Sequence, residues 1–86
     1  MQASEIQAKI KEIIGNVANL DPSAIADNAR FIDDLSLDSL AMMEIGVDMD
    51  YAFKLGLPDE SFQELRSVDE AVALVLRERQ PTTVSA

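Results

Sequence analysis

The chain has 86 residues, a formal net charge of −9, and neither His nor Cys. That length implies one domain with a thin core, burying about 60% of the surface its unfolded chain exposes. The missing His removes the commonest general base and metal ligand, and the missing Cys removes thiol nucleophiles, disulfides and thiolate metal sites. Catalysis would be left to Ser, Thr, Tyr, Lys and carboxylates, which points away from an enzyme. Met1 to Ile6 form neither a basic nor an apolar leader segment. No apolar run approaches the roughly 20 residues that span a bilayer. A cytoplasmic domain without membrane insertion is expected.

The first helix is predicted to start at Ser4-Glu5-Ile6-Gln7, read as a capping box with Ser4 at N-cap. Ile6, Ile10, Ile13, Ile14 and Val17 follow at helical spacing on one apolar face. Gly15 weakens this helix, and Asn19 to Pro22 ends it. Residues 20–37 form a long first loop. Asp21-Pro22-Ser23 starts one short helical turn holding Ala24 and Ile25, and Ile25, Phe31, Leu35 and Leu37 are the candidates to pin the loop to the core.

The second helix is predicted over Ser39 to Phe53, with Gly56 as the residue just past its end. A short third helix follows Pro58, with Asp59 as N-cap and Phe62 and Leu65 pointing inward. The fourth opens on the capping box Ser67-Val68-Asp69-Glu70 and presents Val68, Ala71, Val72, Val75 and Leu76 on one face. Gln80 to Ala86 lacks periodicity. No segment alternates like a strand. The predicted fold is all-α: a small four-helix bundle of three longer helices and one short helix, with a long first loop. Residues 1–80 form the domain and 81–86 a mobile tail.

The charge is concentrated in the middle of the chain. Residues 31–65 hold nine acids and one base, Lys54. Nucleic acid is excluded as a partner because phosphate recognition needs the opposite sign. The acidity either solubilises the surface or steers the chain toward basic partners.

On a wheel of about 100° per residue, Met42, Ile45, Gly46, Met49 and Phe53 share one sector of the second helix, the natural core face. Leu40, Met43 and Val47 form a second sector roughly 130° away. Glu44 and Asp48 flank it on one side and Asp50 on the other. Two readings of the second stripe stand. It is part of a broad buried face, or it is an exposed apolar patch in an acidic rim that docks on apolar grooves with basic rims.

Asp38-Ser39-Leu40 alone reads as a helix cap. In its context, Phe31-Ile32-Asp33-Asp34-Leu35-Ser36-Leu37-Asp38-Ser39-Leu40 resembles the attachment site of acyl carrier proteins, Phe-x-x-Asp-Leu-x-x-Asp-Ser-Leu, at Phe31, Asp34, Leu35, Asp38, Ser39 and Leu40. The resemblance covers almost the whole chain, including Pro58-Asp59-Glu60 before the short helix. It implies a carrier with no catalytic residues and no metal. A phosphopantetheinyl transferase would move 4'-phosphopantetheine from coenzyme A onto Ser39, with Asp38 and Leu40 helping recognition. The arm would supply the thiol that the sequence lacks, and acyl groups would ride on it as thioesters.

The resemblance also implies partner contacts through Leu40, Met43, Glu44, Val47, Asp48 and Asp50. The partners would be acyl-transferring and chain-elongating enzymes with basic patches, visited by a monomer. An acyl pocket would be lined by Phe31, Ile45, Met49 and Phe53. Asp38 has a second role as a helix cap.

Some positions depart from the pattern. Ala41 stands where fatty-acid carriers have an acid, Tyr51 and Ala52 replace a Glu-rich stretch, and Gly46, where a larger residue is common, would widen the pocket. A specialised polyketide or modified-lipid carrier stands beside a fatty-acid carrier. Ser36-Leu37 before the site argues against the peptidyl carriers, which have Gly-Gly there.

The competing reading is an acidic helical adaptor in which Ser39 is only an N-cap. A hydrolase using Ser39 lacks a base in His or a nearby Lys. The Gly and Glu spacing of a calcium loop is absent after Asp33-Asp34 and Asp48-Met49-Asp50.

Overall fold

The computed structural model describes residues 2–56, 62 and 64–78. They form three α-helices, α1 (Ala3–Ala18), α2 (Ser39–Phe53) and α3 (Val68–Glu78), and one 3-10 turn at Pro22–Ala24. Among the described residues there is no strand, only an isolated antiparallel bridge between Arg30 and Ser67. The all-α expectation agrees with this. The short helix expected after Pro58, with its Asp59 cap, falls on residues outside those described, as does the tail from Gln80. Phe62 is buried and Leu65 half-buried, both inward as expected.

α1 begins two residues before the expected cap. Gln2 is the N-cap and its N–H donates to Glu5 Oε1 at 2.9 Å, while Ser4 lies inside the first turn. A carboxylate at N3 wins over a Gln there, because it is the stronger acceptor and is favoured at a helix N-terminus. Ile6, Ile10, Ile13 and Ile14 are buried, as the spacing requires.

Gly15 is less a weak point than a requirement. The chain turns back through left-handed Asn19 (φ 60°), and Leu20 N–H donates to Gly15 O at 2.9 Å. A Cβ on Gly15 would lie 2.6 Å from the Leu20 carbonyl oxygen.

The long loop is held by the core. Ile25, Ala29, Phe31 and Leu37 are buried and Leu35 is half-buried. Asp21 caps the 3-10 turn: its Oδ1 accepts from Ser23 N–H at 3.0 Å and from Ser23 Oγ at 2.8 Å. These bonds favour the charged carboxylate and hold it below the ordinary aspartate value. Lys11 on α1 reaches Asp27 in the loop at 2.5 Å.

The loop is also stitched to the start of α3. Phe31 N–H donates to Arg66 O at 2.9 Å, and Val68 N–H donates to Ala29 O at 2.9 Å.

α2 has the expected bounds and core sector: Met42, Ile45, Gly46, Met49 and Phe53 are buried. Its left-handed exit residue is Lys54 (φ 54°), ahead of Gly56, which has φ 67° as well.

At α3, Glu70 N–H donates to Ser67 Oγ at 3.4 Å, and the Glu70 carboxylate accepts from Arg66 N–H at 3.0 Å. The expected box therefore closes one residue earlier. The buried face is Val68, Ala71, Leu74 and Val75, with Val72 half-buried and Leu76 exposed. Leu74 replaces Leu76 in the core because α3 is turned so that its centre line runs through Val68, Ala71 and Val75, and Leu74 flanks Ala71 on that helix.

α1 packs against both α2 and α3.

Candidate functional site

The segment before α2 is a compact hydrogen-bonded turn. Asp34 Oδ2 accepts from Arg30 N–H at 2.8 Å. Asp34 N–H and Leu35 N–H both donate to Arg30 O, Ser36 N–H to Ile32 O, and Leu37 N–H to Phe31 O. Phe31 and Leu37 plug into the core on either side, and Ser36 takes a left-handed conformation (φ 57°) between them. The Phe-x-x-Asp-Leu spacing therefore has a local physical cause. The aromatic anchors the turn, the carboxylate closes it, and the chain leaves it aimed along α2.

Asp38 is the N-cap of α2. Its Oδ1 accepts from Ala41 N–H at 2.8 Å, and its carbonyl accepts from Met42 N–H at 2.9 Å. Ser39 is the first helical residue and is exposed. The reading of Ser39 as the N-cap is thereby corrected: a carboxylate one residue earlier has taken that place, since it satisfies the N3 N–H more strongly than a hydroxyl. Among the described residues the Ser39 hydroxyl has no hydrogen-bond partner, nor do the N–H groups of Ser39 and Leu40. The site is thus a free primary alcohol at the open end of a helix, where unpaired N–H groups and the helix dipole favour negative charge.

The second stripe of α2 lies outside the core. Leu40 is 64% exposed, Met43 46% and Val47 60%. These three, with Glu44 and Asp48 beside them, line a groove of about 460 Å³ whose other wall is Asn16 and Val17 of α1. The broad-buried-face alternative fails for these residues. Val17, assigned to the α1 core face, is half-buried and shares the groove. Asp50 is half-buried, and its Oδ1 accepts from Gly56 N–H at 2.6 Å, so it braces the turn after α2.

Tyr51 was not assigned a role from sequence, and at 86% exposure it extends the same stripe. Its position four residues beyond Val47 is the signal that would have found it.

Phe31, Ile45, Met49 and Phe53 all lie in the core and are almost fully buried. Gly46 does not widen a pocket between them. A Cβ there would meet Phe62 Cβ at 2.8 Å and Cγ at 3.0 Å, so the phenyl ring of Phe62 already takes that space. Among the described residues no group of acidic side chains is arranged to hold a metal ion. No described helix is long and apolar enough to cross a membrane.

Residues 8–75 match the family described as the phosphopantetheine attachment site. The chain is 40% identical over 84 residues to the meromycolate extension acyl carrier protein of Mycobacterium tuberculosis, covering 95% of this chain and 73% of that one. It is 37% identical over 71 residues to an acyl carrier protein of Rhodococcus erythropolis, covering 83% and 78% of the two chains. With an acyl carrier protein of Rubrobacter xylanophilus it shares 36% identity over 76 residues, covering 88% of this chain and 94% of the other. The match spans the long loop, the free alcohol and the exposed stripe alike, and the chain belongs to the acyl carrier proteins: it is a carrier of acyl groups and not an enzyme, and its working group is a 4'-phosphopantetheine.

Proposed function

We propose that Ser39 is the residue that bears the phosphopantetheine arm. The observation that carries this reading is the pairing of roles at the start of α2: Asp38 does the capping, and the exposed Ser39 hydroxyl is left unbonded. The residues fit a phosphodiester. The alcohol is reachable by a transferase, the two unpaired N–H groups of Ser39 and Leu40 lie at the same helix end, and the neighbouring carboxylate is already turned to Ala41 N–H. When bound, the arm supplies the thiol on which acyl groups travel as thioesters. The chain's own work is to present the alcohol to a phosphopantetheinyl transferase and then to be recognised.

Recognition is assigned to Leu40, Met43 and Val47 with Glu44 and Asp48, facing acyl-transferring and chain-elongating enzymes that carry basic patches. Asp50 belongs to that rim as well: its Oδ1 accepts from Gly56 N–H, and the carboxylate keeps its charge. Asp38 and Leu40, flanking the alcohol, contribute to transferase recognition. The buried Phe31, Ile45, Met49 and Phe53 are the walls against which an acyl chain would be sheltered.

The names of the mycobacterial relatives support the extension of acyl chains in modified-lipid synthesis over the other pathways open to a carrier. The reading includes a cytoplasmic monomer with one domain over residues 1–80 followed by a tail over 81–86. A short helix about Phe62 completes a four-helix bundle.

The test is direct. The purified protein is incubated with coenzyme A and a broad-specificity phosphopantetheinyl transferase and weighed intact. The expected result is a gain of one phosphopantetheine, lost in Ser39→Ala. A gain that survives the substitution overturns the site. No gain, where a control carrier is modified, overturns the reading.

A further inference from the structure

Neither the hydroxyl nor the N–H of Ser39 has a hydrogen-bond partner among the described residues, and the N–H of Leu40 has none either. The next two N–H groups of α2, those of Ala41 and Met42, both donate to Asp38. Helix ends held by so few bonds fray readily. The place of the alcohol is therefore set by where Asp38 is held, and the chain ahead of Asp38 decides that.

That chain is a closed turn. Leu37 N–H donates to Phe31 O at 2.9 Å and Ser36 N–H to Ile32 O at 3.1 Å, which joins its two limbs. Ser36 is left-handed (φ 57°), a conformation that a residue with a side chain keeps where its surroundings enforce it. Asp34 locks the start of the turn. Its Oδ2 accepts from Arg30 N–H at 2.8 Å and its own N–H donates to Arg30 O at 3.0 Å, so one residue clamps both backbone groups of Arg30. The neighbouring Asp33 reaches only the exposed Arg30 guanidinium, at 3.3 Å. Phe31 and Leu37 are buried, and Asp38 alone separates Leu37 from the alcohol.

We propose that Asp34 is a positioning residue for transfer onto Ser39. It acts through the turn and not on the substrate: it fixes Arg30 and with it the Phe31 limb, Leu37 is bonded to that limb, and Asp38 and the alcohol follow. The reaction is sensitive to such placement. The Ser39 oxygen bonds to phosphorus as a phosphorus–oxygen bond of the coenzyme A pyrophosphate breaks. The departing nucleotide keeps the electron pair of that bond, and the hydroxyl proton passes to a base on the transferase. Attacking and leaving oxygens must stand roughly in line. A misplacement of about 1 Å can cost about 100-fold in rate. The proposal rests on Ser39 as the attachment residue.

The test uses the apo-protein as substrate of a phosphopantetheinyl transferase with coenzyme A, and reads kcat and KM for the carrier beside its melting temperature. Asp34→Asn keeps an acceptor at the same reach and drops the charge. Asp34→Glu keeps the charge and moves the acceptor, and Asp34→Ala removes both. The Asn variant is expected within about twofold of wild type, and the Glu and Ala variants about tenfold lower in kcat with KM within about twofold. Asp21→Ala removes the carboxylate cap of the 3-10 turn in the same loop, and should melt earlier at wild-type kcat. If the Ala variant does not fold, the Asn and Glu variants carry the test alone. Wild-type kcat in Asp34→Glu with a loss in Asp34→Asn means that the carboxylate touches the transferase, and overturns the positioning role. So does a rise in KM at unchanged kcat, or wild-type kcat in all three. A loss of kcat in Asp21→Ala as deep as in Asp34→Ala reduces the effect to stability and overturns it too. In each of these cases the attachment site stands if Ser39→Ala abolishes labelling, and labelling that survives Ser39→Ala overturns both.

Discussion

Phe62 packs where Gly46 leaves α2 bare: a Cβ on the glycine would stand 2.8 Å from the Cβ of Phe62 and 3.0 Å from its Cγ. The contact involves the base of the Phe side chain, which cannot swing away as a side-chain tip can. In an open helix, Gly→Ala would add about 1 kcal/mol of stability. Here Gly46→Ala is expected to lower stability by about 1–3 kcal/mol through overpacking. Phe62→Ala alone removes a buried ring and should cost about 3–5 kcal/mol. In the Phe62→Ala background the ring is gone but the Cβ at 2.8 Å remains, so Gly46→Ala should still destabilise, by less than in the wild type. Urea denaturation of the four proteins measures this reduction, and additive effects would contradict the ring contact.

Asp38 combines capping with a position beside the alcohol, and the two roles separate under substitution. Asp38→Ala removes the acceptor for Ala41 N–H and should cost about 1 kcal/mol. Asp38→Asn keeps an acceptor and should cost only a few tenths. If the carboxylate also matters to the transferase, both variants should label more slowly, although only the first melts earlier. Equal labelling by Asn and wild type would confine Asp38 to the cap.

The Asp21 cap gives a pH dependence of known sign. Its carboxyl is held below the ordinary aspartate value by the Ser23 N–H and hydroxyl. A depressed folded-state pKa contributes stability that is present above the unfolded-state pKa and is lost as pH falls through the folded value. The stability difference between wild type and Asp21→Ala should therefore be full at neutral pH and shrink in acid, below the usual aspartate range. A difference that grows on acidification would contradict the assignment. Denaturation midpoints across the pH range report it.

Glu44 and Asp48 border the exposed groove, and neither side chain makes an ion pair or hydrogen bond among the described residues. Glu44→Lys with Asp48→Lys should leave the melting temperature within a few degrees of wild type. Association with a basic partner enzyme should slow about tenfold or more at low salt, and the deficit should narrow as salt rises. Stopped-flow association rates at two ionic strengths measure both trends. A salt-independent loss would point to lost packing rather than lost steering.

Much of the site could be read from the residues because its causes are local. The bounds of α2, its buried sector through Met42, Ile45, Met49 and Phe53, and the exposed Leu40-Met43-Val47 row all follow from a 3.6-residue period acting on one helix. The loop anchors Phe31 and Leu37 could be read the same way, as isolated large apolar groups in a polar stretch. What escaped depends on neighbours distant in sequence. Gly46 looks like a loss of wall until Phe62 arrives from elsewhere in the chain. Leu74 and Leu76 are equivalent by composition, and only the roll of α3 against α1 separates them. The choice of Gln2 over Ser4 as a cap turned on which partner, Glu5 or Gln7, sits three residues on, where the stronger acceptor prevailed. The Asp50 carboxylate, placed beside the stripe by its angle on the helix, also accepts from Gly56 N–H, a partner that no wheel displays.

The two backbone bonds that stitch the long loop to the head of α3 have a consequence for how the molecule opens. They tie the segment just ahead of Ser39 to a helix near the other end of the chain, so that segment cannot fray by itself while α3 is docked. The Phe31 and Val68 amides should exchange with solvent at matching rates, as one cooperative unit. Anything that loosens the last helix would then reach the attachment end of α2 through the backbone, without touching α2 itself.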